Sequence, residues 1–163
     1  MPEPTSTPYV GISLALISAG DLFVMQLRDF TPEIDAPGSW GFFAGHCELG
    51  EQAHSTMWRE LREELGWQPE VVTFLGVTFT EDRRINVFHC DCYPKASHLT
   101  LHEGEDMGFF SAEQISKGTL FSDKLQGYYP VAPVALRVFK QFLEGARNAS
   151  QDRSGPDLVS QNA

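Results

Sequence analysis

Apolar positions in this chain fall mostly into short strand-like runs, and only a few stretches switch to helical spacing. Residues 9–17 and 22–28 are rich in β-forming side chains and are separated by Ser18-Ala19-Gly20-Asp21, which predicts a hairpin. Pro32, Pro37 and Gly38 make residues 30–39 a loop, and residues 39–44 read as a short aromatic strand. Residues 51–65 carry Ala53, Met57, Leu61 and Leu65 four apart on one side, with Gly66 as a stop. This is the clearest helix in the chain. Strands over 71–80 and 85–93 flank the polar turn Glu81-Asp82-Arg83-Arg84, and shorter ones are expected at 99–101 and 108–110. Ser111-Ala112-Glu113-Gln114 has the spacing of a capping box and predicts a short helix. A final helix is expected over 131–143, opened by Pro130 and Pro133 and ending near Gly145. Strands interrupted by one strong helix and closed by another imply an α/β chain, a mixed sheet with helices packed on it.

The length of 163 residues fits one domain with short tails. Residues 1–8, with three prolines, read as a flexible leader, residues 9–146 as the domain, and residues 147–163 as a polar, disordered tail. Twelve basic against twenty-two acidic residues give a formal net charge of −10. Such a surface repels a phosphate backbone, so a nucleic-acid polymer is excluded as a partner. A small phosphorylated substrate stays compatible, because a bound divalent cation reverses the local sign. No run of about 18 apolar residues exists to span a membrane, and the N-terminus lacks the pattern of a secretory signal. The expected compartment is the cytoplasm, and a homodimer is compatible with this composition. Three cysteines, Cys47, Cys90 and Cys92, argue against a disulfide framework. His89, Cys90 and Cys92 admit a zinc reading, but a structural site usually takes four ligands, and buried reduced thiols are the simpler expectation.

One helix breaks a local rule. Glu60, Glu63 and Glu64 share about a third of the circumference of the 51–65 helix, apart from its apolar stripe. They crowd its C-terminal half, where the helix dipole disfavours each negative charge by about 0.3–1 kcal/mol. Arg59 is spaced to pair with Glu63 and relieve part of this cost. The three carboxylates alone are compatible with a solvated acidic face. They are equally a ligand set for a hard divalent cation, Mg²⁺ or Mn²⁺.

The surrounding segment decides between the two. Residues 45–67 read GHCELGEQAHSTMWRELREELGW. This resembles the box of the Nudix hydrolase family (MutT-like): Gly, five residues, Glu, seven residues, then Arg-Glu-aliphatic-any-Glu-Glu-any-Gly-aliphatic. Gly45, Glu51, Arg59, Glu60, Leu61, Glu63, Glu64 and Gly66 all match, and only Trp67 departs, at the last position. Many relatives read Pro-Gly-Gly at the start, whereas this chain has Phe43-Ala44-Gly45, and Ala adopts positive backbone angles less cheaply than Gly.

The resemblance implies the family's α/β/α sandwich, with a loop-helix catalytic element, over residues 9 to about 146. It implies a metal-dependent hydrolase cutting the diphosphate linkage of a nucleoside triphosphate or a nucleoside-diphosphate derivative. Glu60, Glu63 and Glu64 then bind Mg²⁺ or Mn²⁺, with Glu60 and Glu63 also in catalytic roles. The main-chain carbonyl of Ala44 is a further ligand candidate. Arg59 holds a carboxylate in place, and Gly45, Glu51 and Gly66 shape the box. Nudix enzymes differ in where they find the catalytic base. In the acidic loop Glu103-Gly104-Glu105-Asp106, Glu103 is the first candidate and Glu105 the second, against a turn with no role. For the substrate, Arg28 is placed to meet a phosphate, and Trp40 and Phe42 to stack on a base. Phe43, Phe79 and Phe88 are further aromatic candidates, although alternating strand aromatics usually belong to a core. His46 sits inside the box and is a candidate to border the metal site. The markers of ADP-ribose, diadenosine polyphosphate and NADH hydrolases are absent downstream, so no single substrate is named. The alternative is a non-catalytic ligand-sensing Nudix domain; an intact set of box carboxylates argues for the enzyme.

Overall fold

A computed structural model describes residues 9–93 and 95–151. The hairpin at the start forms as expected: β1 (Val10–Ala19) and β2 (Leu22–Leu27) pair antiparallel, with Gly20 at a φ of 62° in the turn. The aromatic run that follows is not one strand. It divides into β3 (Trp40–Gly41), which pairs with β2, and β4 (Phe43–His46), which pairs with β1. The chain changes partner at Phe42 because the two strands diverge beyond their hairpin end. Next come the helix α1 (Ala53–Leu65), the strands β5 (Thr73–Phe79) and β6 (Arg83–Asp91), and β7 (Asp106–Ser111). The main sheet runs β3-β2-β1-β6-β5, with β4 also on β1 and β7 also on β2. Only β1 and β6 are parallel, so the sheet is mixed.

β1 is buried over Ile12–Ser18 because both faces of the sheet are covered. Ala15, Ile17, Phe43 and Phe88 face one layer, formed by Met57, Leu61 and Leu65 of α1. Leu14, Leu16, Phe42, Ile85 and Val87 face the other, formed by Val138 and Phe139 of the last helix, α3 (Pro133–Gln151). The expected α/β/α sandwich is therefore present. Trp67 is buried in the α1 layer, so the departure at the last box position is a packing residue.

Other elements differ from their sequence signals for visible reasons. Residues 99–101 form no strand. Thr100 and His102 instead donate backbone N–H groups to the carbonyls of Leu65 and Glu64, satisfying the last turn of α1. The short helix α2 (Ala112–Ser116) has both bonds of its capping box, whereas a second hairpin, β8 (Thr119–Ser122) and β9 (Gly127–Pro130), had no clear signal. Its four-residue strands are too short to show an alternation. α3 starts at Pro133, runs past its expected end near Gly145 and continues to Gln151. Ala146 is buried, and the Ser150 hydroxyl is bonded to Ser18 Oγ at 3.2 Å and to His89 Nε2 at 3.1 Å. The expected leader at 1–8, and residues 152–163 of the expected tail, lie outside the described residues.

Candidate active site

Strand β4 brings Gly45 against the middle of α1, and the reason for glycine there is space. A Cβ on Gly45 would lie 2.0 Å from the Glu60 Cδ. Ala44, the residue before it, pairs with Leu14 and is not in the left-handed region, so alanine costs nothing at that position. Gly66 does need its conformation: at a φ of 60° it closes α1, donating its N–H to the Arg62 carbonyl at 3.0 Å.

Arg59 organises the loop before the helix. Its Nε and Nη2 donate to the two oxygens of Glu51 at 2.9 and 2.8 Å, a bidentate pair. Nη2 also donates to the His46 carbonyl at 3.0 Å, and Nη1 to Glu60 Oε1 at 2.7 Å. Glu63, the partner expected from spacing, is reached only at 3.5 Å. Glu51 wins because the loop folds back over the helix, which sequence distance does not show. Those bonds from Arg59, with a 2.6 Å bond from the Thr56 hydroxyl, hold the Glu51 carboxyl down to about 2. The same pairing raises the Arg59 guanidinium further above its ordinary value.

The other end of the helix is the opposite case. Glu64 is only 6% exposed, and its Oε2 is buried without a hydrogen-bond partner. Burial, then the charges of Glu60 and Glu103, push its carboxyl up to about 8. Burial also raises Glu60, with opposing bonds from Arg59. Glu63 is exposed, its side chain 55% accessible. Glu103 is thus brought to the box by the loop before β7, while Glu105 has no part in these shifts and is held through its backbone to Leu27 and Lys124. Arg28, at the end of β2, is a neighbouring cation that lowers Glu64, and its Nε is buried without a partner.

Among the described residues no three His, Cys, Asp or Glu side chains stand close enough to coordinate one ion as they are placed. The chemistry of the cluster nonetheless fits a hard divalent cation. It offers an orphaned carboxylate oxygen on Glu64, a half-buried carboxylate on Glu60, and two exposed ones on Glu63 and Glu103.

Beside the box lies a cavity of about 580 Å³, lined by β1, β4 and β6 residues, the 28–41 segment and the start of α3. Arg28, Phe42, Ala44, Gly45 and His46 all border it. Trp40 does not. It is wholly buried, donates its indole N–H to the Leu120 carbonyl at 3.0 Å and packs edge-on to Phe110, so it cannot stack on a ligand. Phe43 and Phe88 are likewise core, and Phe79 packs against Tyr9 away from the cavity. The His89-Cys90-Cys92 group is no zinc site: both thiols are buried in the α1 layer and His89 bonds to Ser18. Burial raises Cys92 to about 11, the value of an inert thiol. The cavity residues not anticipated are Asp35, Ala36, Thr80 to Arg83 and Ala132 to Ala135. They come from the 30–39 loop, the turn before β6 and the start of α3, elements whose existence was legible but whose meeting at one cavity no local signal shows.

A conserved-domain profile, the NUDIX domain, matches residues 8–129. The chain belongs to the Nudix hydrolase family. Over 103 residues it is 27% identical to the nucleoside triphosphatase NudI of Salmonella typhimurium, covering 63% of this chain and 68% of that protein. Over 40 residues it is 52% identical to an RNA pyrophosphohydrolase of Pseudoalteromonas atlantica, but the chain spans only 23% of that relative's length. A MutT Nudix hydrolase from Burkholderia pseudomallei superimposes with a TM-score of 0.64 at 20% identity, covering 82% of this chain and 98% of that one. The Nudix domain of Shewanella oneidensis NrtR, solved with ADP ribose, superimposes with a TM-score of 0.65 at 13% identity, covering 88% and 92%. These likenesses show the fold.

Proposed function

We propose that the chain is a metal-dependent pyrophosphohydrolase that cleaves the diphosphate linkage of a nucleoside triphosphate or nucleoside-diphosphate derivative. The carrying observation is the buried, unpartnered carboxylate oxygen of Glu64, set beside Glu60 and Glu103 and next to a cavity. A buried carboxylate without a donor is costly in a folded protein and calls for a cationic partner. Arg59 cannot be that partner, because its guanidinium is occupied by Glu51, Glu60 and the His46 carbonyl.

Glu60, Glu63 and Glu64 are the residues that hold Mg²⁺ or Mn²⁺, with the Ala44 carbonyl as a further oxygen. Bound there, the metal supplies neutralisation of the diphosphate charge and a water acidified for attack. Glu103 is the proton acceptor, since it reaches the box from a separate loop and is exposed to solvent. Arg28, which borders the cavity, meets a substrate phosphate, and Phe42 supports the moiety beyond it. Arg59 positions Glu60 and ties the loop through Glu51. Buried reduced thiols at Cys90 and Cys92 support a reducing, cytoplasmic setting.

The test is a release assay with Mg²⁺ or Mn²⁺ over nucleoside triphosphates, oxidised nucleotides, dinucleotides, ADP-ribose and nucleotide sugars. Phosphatase detects new monoesters, and pyrophosphatase detects pyrophosphate. Turnover of one class that is abolished by chelation and by Glu64→Gln is the expected result. Binding of a panel member with turnover of none would replace the enzyme by a sensor.

A further inference from the structure

The cavity has two electrically different ends. Arg28 stands near the box, close enough to Glu64 to lower it. Elsewhere in the lining, three carboxylates, Asp35, Glu81 and Asp82, share it with one guanidinium, Arg83. Arg83 is already engaged: Nη2 is ion-paired with Asp35 Oδ2, and Nε lies 4.0 Å from Asp82 Oδ1. Asp35 belongs to the segment after β2, which is anchored by the Arg28 N–H on the Ser39 carbonyl at 2.9 Å and the Gly38 N–H on the Asp29 carbonyl at 3.0 Å. Arg83 opens β6, so the pair joins two walls of the cavity that are distant in sequence. The lining also carries apolar side chains at Ile12, Leu14, Phe42 and Ile85.

We infer that the Asp35–Arg83 pair is the specificity-determining element of this cavity, selecting an uncharged, hydrogen-bond-donating moiety and rejecting a second anionic arm. The inference rests on the hydrolase reading for the site but concerns the half of the substrate that does not react. Ionised carboxylates only accept hydrogen bonds, so this end suits base amino groups and sugar hydroxyls. With Arg83 neutralised by Asp35, an additional phosphate meets a net negative surface and is disfavoured by about tenfold or more. The apolar side chains of the lining accommodate the faces of a base or sugar.

Calorimetric binding tests this without turnover. Nucleoside 5′-monophosphates are compared with the matching 3′,5′-bisphosphates, with Mg²⁺ present, on the full chain. The wild-type protein is expected to bind the monophosphate at least about tenfold more tightly. Asp35→Asn frees Arg83 and narrows that ratio to within about threefold, whereas Arg83→Gln removes the guanidinium that lines the cavity beside Asp35 and widens it. A merely structural role would weaken both ligands alike and leave the ratio unmoved. Asp35→Glu, which keeps the pair, retains the wild-type ratio and covers the case in which Asp35→Asn fails to fold. Equal binding of the two ligands by the wild-type protein, or a ratio unchanged in both Asp35→Asn and Arg83→Gln, overturns the inference and leaves the hydrolase standing. Binding of neither ligand, with no turnover in the release assay, overturns the functional reading as well.

Discussion

The same side chain stands in opposite circumstances just before α1 and in its last turn. At the N-terminal end Glu51 receives two bonds from Arg59 and one from Thr56, and its carboxyl sits near 2. At the C-terminal end Glu64 is buried with an unpartnered oxygen, and its carboxyl sits near 8. The satisfied glutamate ties down a loop, and the buried, unsatisfied one is the residue on which the proposed metal site rests. The helix dipole points the same way, favouring the first charge and opposing the second.

The largest effect expected from breaking this contrast is on turnover. Glu64→Gln should lower kcat by about a thousandfold, roughly 4 kcal/mol of barrier, with an unchanged circular dichroism spectrum. Wild-type rates from that variant would remove the C-terminal end from the chemistry. The satisfied end should answer in stability instead. Arg59→Ala removes the partner shared by Glu51 and Glu60, so a lower midpoint in denaturant unfolding is expected. An unchanged midpoint would mean the network is only a surface ion pair. Gly45→Ala forces a methyl into Glu60, so a loss of about 2 kcal/mol together with reduced kcat is expected.

The smallest effect is a pH profile whose sign separates the two carboxyls. Glu64 keeps its proton in the folded protein up to about 8, while the unfolded chain loses it near 4.5. The folded state therefore binds more protons across that window, and metal-free stability falls as pH rises through it. Melting temperature should drop by several degrees between pH 5 and pH 8 in the wild-type protein, less in Glu64→Gln, and recover on adding Mg²⁺. Glu51 acts in reverse: its contribution is complete above about 4.5 and is lost as pH falls toward 2. A metal-free melting temperature that stays level from pH 5 to pH 8 would contradict the environment assigned to Glu64.

Most of the box was legible because it is local. Glu60, Glu63, Glu64 and the Gly66 stop follow from the pitch of one helix, and the apolar stripe of Met57, Leu61 and Leu65 from the same period. The capping box at Ser111 was legible for the same reason. The Arg59 partner was not, because Glu51 is brought to it by a loop that folds back. Trp40 looked like a stacking surface because its residue type suits one, yet burial depends on which strands lie above and below it. The extension of α3 past Gly145 was not legible either, since the contacts of its last turns, Ser150 with Ser18 among them, are with residues far away in the chain.

By itself, then, the sequence determined a mixed sheet with helices and which carboxylates share a helix face, since periodicity acts over a few turns, while the family and its sandwich followed from the resemblance that the box carries. Tertiary structure alone decided which of those carboxylates loses its water and where the cavity opens. It also decided that Asp35 and Arg83 meet across that cavity. Desolvation and long-range pairing depend on what the rest of the chain places overhead, and no local spacing encodes that.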